Sequence, residues 1–153
     1  MDVLINNAGV IGPDNKPANK ANSVEELQRA LLNESDGWQS TFAINTTAVA
    51  LVSAAFLPLL DAGNARRGWV SGKLSPGGPA RERKSSGSGI DSSDKRTSQI
   101  ITVSSIAAHN RHVTAGLAYS ASKAGSTHIG KMLATLLAPY GIRSNIIEPG
   151  SKY

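Results

Sequence analysis

The sequence predicts an α/β fold built on about three parallel strands with flanking helices. An apolar run at 3–5, a β-branched run at 99–104 and a third strand at 142–147, stopped by Pro149-Gly150, alternate with longer stretches of helical pattern. Each run leads into turn-forming or small polar residues: Asn6-Asn7-Ala8-Gly9, Ser104-Ser105 and Pro149-Gly150. Strands joined through helices are the signature of βαβ crossovers, which pair strands in parallel.

Val3-Leu4-Ile5 reads as a buried parallel strand entering a turn at Asn6. Residues 12–22 are rich in Gly, Pro, Asn and Lys and read as loop. Ser23 followed by Glu26 is an N-cap pattern and predicts a helix over Val24–Leu32. Ser35 or Asp36 opens a longer helix over 38–60. Its second half is apolar almost all round, which predicts burial on more than one side, against a sheet and a partner subunit. The apolar stretch 48–60 is interrupted by Ser53 and Pro58 and is too short to span a bilayer. No basic segment precedes an apolar run at Met1, so no signal peptide is expected. With no cysteine in 153 residues, disulfides, thiolate zinc sites and a cysteine nucleophile are excluded, and a cytoplasmic, membrane-free protein is expected.

Residues 64–98 differ from the rest. They hold eight basic and three acidic side chains, which accounts for the whole net charge of +5. Six glycines, eight serines and two prolines in the same segment predict a flexible basic insertion, a linker in composition. Such a loop can meet an anionic surface, but Trp69 is its one aromatic, so no platform for stacking bases is present and no nucleic-acid partner is expected. Beyond it, 99–104 is the second strand, 109–116 a loop, 119–138 a helix closed by Pro139 and Gly141, and 142–147 the third strand. No internal repeat is visible. The chain reads as one domain, 1–153.

Four polar residues stand where chemistry is expected. Ser105 follows a strand, and ligands in open α/β sheets bind at the carboxyl ends of strands. Tyr119 and Lys123 are four apart on one helix face, and an ammonium near a phenol favours the phenolate, making it a usable proton donor or acceptor. Asn45 is an amide inside an apolar helix and needs partners there, either backbone or ordered water. Taken singly, a Tyr/Lys pair is more often surface packing, Ser105 a strand-end cap and Asn45 a backbone bridge. A hydrolase is disfavoured, because Ser105 lies in no G-x-S-x-G elbow and His109 and His112 complete no triad.

Asn6-Asn7-Ala8-Gly9, Asn45, Ser104-Ser105, Tyr119-Ser120-Ala121-Ser122-Lys123 and Gly141-Ile142-Arg143-x-Asn145 before Pro149-Gly150 occur in this order on the expected elements. The set resembles the short-chain dehydrogenase/reductase family, its classical branch, and within it 3-oxoacyl-reductase-type enzymes. The resemblance implies a partial Rossmann-type, doubly wound parallel sheet. It implies an oxidoreductase interconverting a carbonyl and an alcohol, on a 3-oxoacyl or similar ketone, with NAD or NADP as cofactor and NADP slightly favoured. By the same resemblance Tyr119 passes the proton, Lys123 assists it and bonds the nicotinamide ribose, Ser105 polarises the carbonyl, and Asn45 positions a relay water. Asn7, Ala8 and Gly9 support the adenosine side, and Pro149 and Gly150 line the nicotinamide. The partner expected is a small-molecule substrate, with a homo-oligomer in the complete protein.

The departures are as specific as the matches. No glycine-rich phosphate-binding turn is present, and the chain starts at what the family would count as its fourth strand. The stretch from Asn45 to Ser105 is about twice the family's length. The expectation is therefore a reductase seen as a fragment that is inactive alone. The alternatives are a truncated, non-catalytic relative that binds a full-length reductase, or a basic nucleic-acid module on a dead scaffold.

Overall fold

A computed structural model describes residues 1–33, 35–84 and 93–150. Three strands, β1 (Val3–Asn6), β2 (Gln99–Val103) and β3 (Arg143–Ile147), form one parallel sheet as expected, and their order is β1-β2-β3. Leu4 pairs with Ile100 and Ile100 with Ser144, so these three share a face. The helices are α1 (Val24–Leu32), α2 (Gly37–Phe42), α3 (Ala48–Arg66) and α4 (Leu117–Leu137). Ser23 caps α1 by accepting the Glu26 N–H at 3.2 Å, and Glu26 in turn accepts the Asn22 N–H at 2.9 Å.

Two successive right-handed crossovers running the same way across a sheet put both helices on one face. The α3 and α4 helices accordingly close over Leu60, Ile100, Leu137 and Ile142, the apolar core, with Met1, Leu4, Leu57 and Leu133 packed around it. Among the described residues no helix packs on the other face. Val3 and Ile5 are exposed, which corrects the expectation of a buried β1: its covered face is Leu4 and Asn6 only. The α3 helix is likewise buried on its sheet side, through Val49, Ser53 and Leu60, while Leu51, Val52 and Leu59 face outward.

The helix expected over 38–60 is longer and is not regular. From Gly37 to Arg66 it runs as 30 continuous residues, including a π-helical turn at Ala43–Thr47 and Pro58. That length and apolarity suffice to cross a bilayer, against the expectation from 48–60 alone. Its buried polar side chains tie one side of it to β1 and to the residues around Ser98 and Gly141. Ser53 accepts from Asn6 Nδ2 at 2.9 Å, and Asn64 donates to Gly141 O at 2.9 Å and accepts the Ser98 N–H at 2.7 Å. The helix extends past Leu60 because Gly63 lets it lie directly against Met1: a β-carbon there would fall 2.0 Å from the Met1 carbonyl oxygen.

Asn64 and Ser98, expected as the ends of a loop, thus belong to the core. Between them Trp69 and Arg83 form an antiparallel bridge, with the Arg83 guanidinium 5.6 Å from the Trp69 ring centre. Arg81 donates to the carbonyls of Val70, Gly72 and Pro139, and Leu74 N–H donates to Pro139 O at 2.8 Å. Arg67 pairs with Asp2 and Asp94, Arg66 with Asp2, and Arg96 with Asp94. The remaining part of the insertion, 85–92, lies outside the described residues.

Candidate active site

The site assembles where β1 and β2 end and α4 begins. The start of α4 is fixed from far away in sequence. Buried Asn15 accepts the Leu117 N–H at 3.1 Å and donates to Ala30 O at 3.1 Å. Gly116, at φ 129°, has no room for a side chain because a β-carbon would lie 2.3 Å from Pro13 O. This cap from a residue about a hundred positions upstream starts α4 at Leu117, two residues before the expected Tyr119, and sets Tyr119 and Lys123 in its first two turns.

Asn45 lies in the π-helical turn, a distortion that often marks functional sites. Both of its amide protons and its oxygen are engaged. Oδ1 accepts the Val10 N–H at 2.8 Å; Nδ2 donates to Val10 O at 2.8 Å and to Ser122 Oγ at 2.9 Å. Ser122 passes the link on by donating to Tyr119 O at 2.8 Å. Thr46, beside Asn45, donates to Ser122 O at 2.8 Å, and α4 meets this turn so closely that a β-carbon at Gly125 would stand 2.9 Å from Thr46 Cγ2. Asn45 is therefore tied both to the turn after β1 and to the Tyr119 turn of α4.

Lys123 is buried, its Nζ 5.8 Å from the Tyr119 ring centre and donating to Val103 O at 2.9 Å. Burial pushes this ammonium below the usual lysine range. An ammonium carries three donors, and among the described residues only Val103 O takes one. Gly9 lies over the pair, where a β-carbon would come within 3.1 Å of Asn45 Oδ1 and 3.4 Å of Lys123 Nζ. The spare lysine protons and the bare backbone above them fit a hydroxylated group such as a ribose. Asn7 and Ala8 line a cleft of about 160 Å³ next to Ile44, Val49 and Val52.

Ser105 is buried and caps a short 3₁₀ turn, Ile106–Ala108, by accepting the Ala107 N–H at 3.1 Å. Ser105 thus caps the turn that follows β2 and not the strand end weighed from sequence, and no hydrogen bond joins it to Tyr119 or Lys123 among the described residues. Its segment meets the 149–150 segment: Ile106 N–H donates to Pro149 O at 3.0 Å, and Gly150 lies against the Ile106 side chain. Asn45, Tyr119, Lys123 and Gly9 form one connected group. Ser105, Pro149 and Gly150 form a second, joined to the first through Ser104 Oγ, which donates to Lys123 O at 2.9 Å. Ser122, Val10 and Asn15 were not singled out from sequence; the only signal was Ser122 inside the Tyr119–Lys123 run.

A family model described as short chain dehydrogenase matches residues 89–152. The short-chain dehydrogenase/reductase PhomF' of Diaporthe leptostromiformis is 37% identical over 151 residues, covering 98% of this chain and 43% of that protein. Among solved structures, the Pseudomonas aeruginosa RhlG/NADP active-site complex superposes with a TM-score of 0.62 at 22% identity, over 100% of this chain and 42% of its own. A 3-oxoacyl-[acyl-carrier protein] reductase with bound NAD from Brucella melitensis gives 0.60 at 22%, over 98% and 42%. The chain spans about half the length of the curated relatives it matches.

Proposed function

Since this chain belongs to the short-chain dehydrogenase/reductase family, we propose that it supplies the catalytic half of an NAD- or NADP-dependent enzyme that interconverts a carbonyl and an alcohol. A 3-oxoacyl or similar ketone is the proposed substrate class. The observation that carries the reading is the connected set Asn45–Ser122–Tyr119 with buried Lys123 beside the Tyr119 ring and Gly9 above them.

The nicotinamide cofactor, when bound, supplies or accepts the hydride. Everything else falls to this chain's residues. The Tyr119 hydroxyl gives a proton to the substrate oxygen on reduction and takes it back on oxidation. The Lys123 charge sits against the ring and stabilises the tyrosinate left behind. Its two remaining protons hold the ribose hydroxyls, with Gly9 leaving the backbone close enough to admit them. The Ser105 hydroxyl, which uses a lone pair on Ala107 N–H, keeps its own proton for the substrate carbonyl. Asn45 spends its amide on Val10 and Ser122, so its role is to hold the turn after β1 against α4; any relay water is held by the groups it positions. Pro149 and Gly150 close the site beside Ile106. A cytoplasmic location and assembly through the outward apolar side of α3 belong to the same proposal.

The test joins the remaining part of a relative's chain to this one and follows reduced-nicotinamide consumption with a ketone. Lys123→Ala should lose turnover and weaken cofactor binding together, while Ser105→Ala should lose turnover with cofactor binding kept. A chimera that binds cofactor and turns over equally well with both substitutions would overturn the reading.

A further inference from the structure

Glu148 is a junction of three elements. Its Oε1 accepts the Thr127 hydroxyl at 2.8 Å and lies 2.9 Å from His109 Nε2. Glu148 itself follows β3 and precedes Pro149. Thr127 is buried on α4, one turn after Lys123. His109 ends the 3₁₀ turn that Ser105 caps. The Ser105 segment and the 149–150 segment are therefore joined twice, by the Ile106 N–H to Pro149 O bond at 3.0 Å and by the His109–Glu148 contact.

The carboxylate also reaches inward. Thr127 Oγ1 is 2.7 Å from Ser104 Oγ, and both Ser104 and Ser126 can donate to Lys123 O at 2.9 Å. Each hydroxyl has one proton. Thr127 stands between two acceptors, Glu148 Oε1 at 2.8 Å and Ser104 Oγ at 2.7 Å, and has one proton for them. Without the carboxylate, Thr127 turns its proton to Ser104. The carboxylate therefore competes with Ser104 for the Thr127 proton. The His109 and Thr127 hydrogen bonds hold the Glu148 carboxyl below its usual range, so it is ionised near neutral pH.

We infer that Glu148 is a positioning residue for the Ser105 segment and that His109 makes its hold depend on pH. The inference rests on the reading of Ser105 and 149–150 as walls of the reaction site. A histidine changes charge between about pH 5 and 8, and a protonated imidazole makes the stronger, charge-assisted bond to a carboxylate. The other charge acting on Glu148 is Lys131, one turn beyond Thr127 on α4. His109 is 54% and Glu148 31% exposed, so the charge adds little to global stability and acts on the local opening of the two segments.

The experiment measures amide hydrogen exchange in the 153-residue chain, with no cofactor or substrate, at about pH 5.5 and 8, either side of the histidine range. The Ile106 amide is read as a ratio to the Ile101 amide in β2, so that global unfolding and intrinsic pH effects cancel. In Glu148→Ala the ratio should rise by about three- to tenfold, the range for a lost hydrogen bond to a partly exposed carboxylate. Glu148→Gln keeps an acceptor and should restore most of the protection while removing the difference between the two pH values. His109→Ala, at an exposed position, should remove the pH difference without disturbing the core, and it decides the matter if Glu148→Ala fails to fold. A ratio that is the same in wild type, Glu148→Gln and His109→Ala at both pH values would overturn the inference. Since no turnover is measured, that failure is separate from failure of the reductase reading.

Discussion

Replacing Gly9 by alanine tests how closely the turn after β1 is fitted to the site. Gly9 is not among the glycines with positive φ, so its backbone accepts alanine, and the lower entropy of the unfolded chain favours the variant by about 0.4–1 kcal/mol. Against that, the new methyl meets Asn45 Oδ1 at 3.1 Å and Lys123 Nζ at 3.4 Å. Lys123 can swing by a few tenths of an ångström, but Asn45 is held by Val10 N–H, Val10 O and Ser122 Oγ and cannot. Overpacking of a fixed site costs about 1–3 kcal/mol. The overpacking wins, and the net loss is about 1–2 kcal/mol, a fall in melting temperature of roughly 2–8 °C for a domain of this size. Thermal unfolding followed by circular dichroism reads this directly. A Gly9→Ala chain as stable as wild type, or more stable, would show that Asn45 and Lys123 do not meet over Gly9 as described.

Asn64→Ala removes the acceptor of the buried Ser98 N–H and the donor to Gly141 O. It should cost about 2–4 kcal/mol in urea unfolding, with Asn64→Asp recovering the acceptor half. Asp2 is held below its ordinary range first by Arg67 and then by Arg66, and Asp94 first by Arg96. Depressed carboxylates stabilise the fold above their unfolded value and lose that contribution as pH falls through the folded one. Melting temperature should therefore decline as pH drops below about 4, and less steeply in Asp2→Asn and Asp94→Asn; equal slopes in all three proteins would refute the assignment.

The order of strands and helices could be read from residues because β1 and β2 are short apolar or β-branched runs with a turn behind them, because Gly141 and Pro149-Gly150 bracket β3, and because Ser23–Glu26 caps its helix locally. Tyr119 and Lys123 were legible for the same reason: their spacing alone puts them on one face. What escaped depends on contacts distant in sequence. The cap of α4 comes from Asn15, and the extension of α3 to Arg66 comes from packing of Gly63 on Met1 and bonding of Asn64 to Ser98 and Gly141. The π-helical turn at Asn45 is stabilised by bonds to Val10 and Ser122, neither of which a local pattern reveals. The uncovered face of β1 follows from topology, since an apolar run looks the same whether helices cover one side or both.

The proposed proton transfer by Tyr119 is the step that a single substitution isolates. In the chimera described above, Tyr119→Phe removes one hydroxyl and leaves the backbone bond from Ser122, the Lys123 bond to Val103 O and the ring beneath Lys123 in place. Folding and cofactor binding should persist while kcat for ketone reduction falls by about 10²–10⁴-fold, the usual worth of such a proton-transfer group. A Tyr119→Phe enzyme that binds cofactor and reduces the ketone at the wild-type rate would contradict the account.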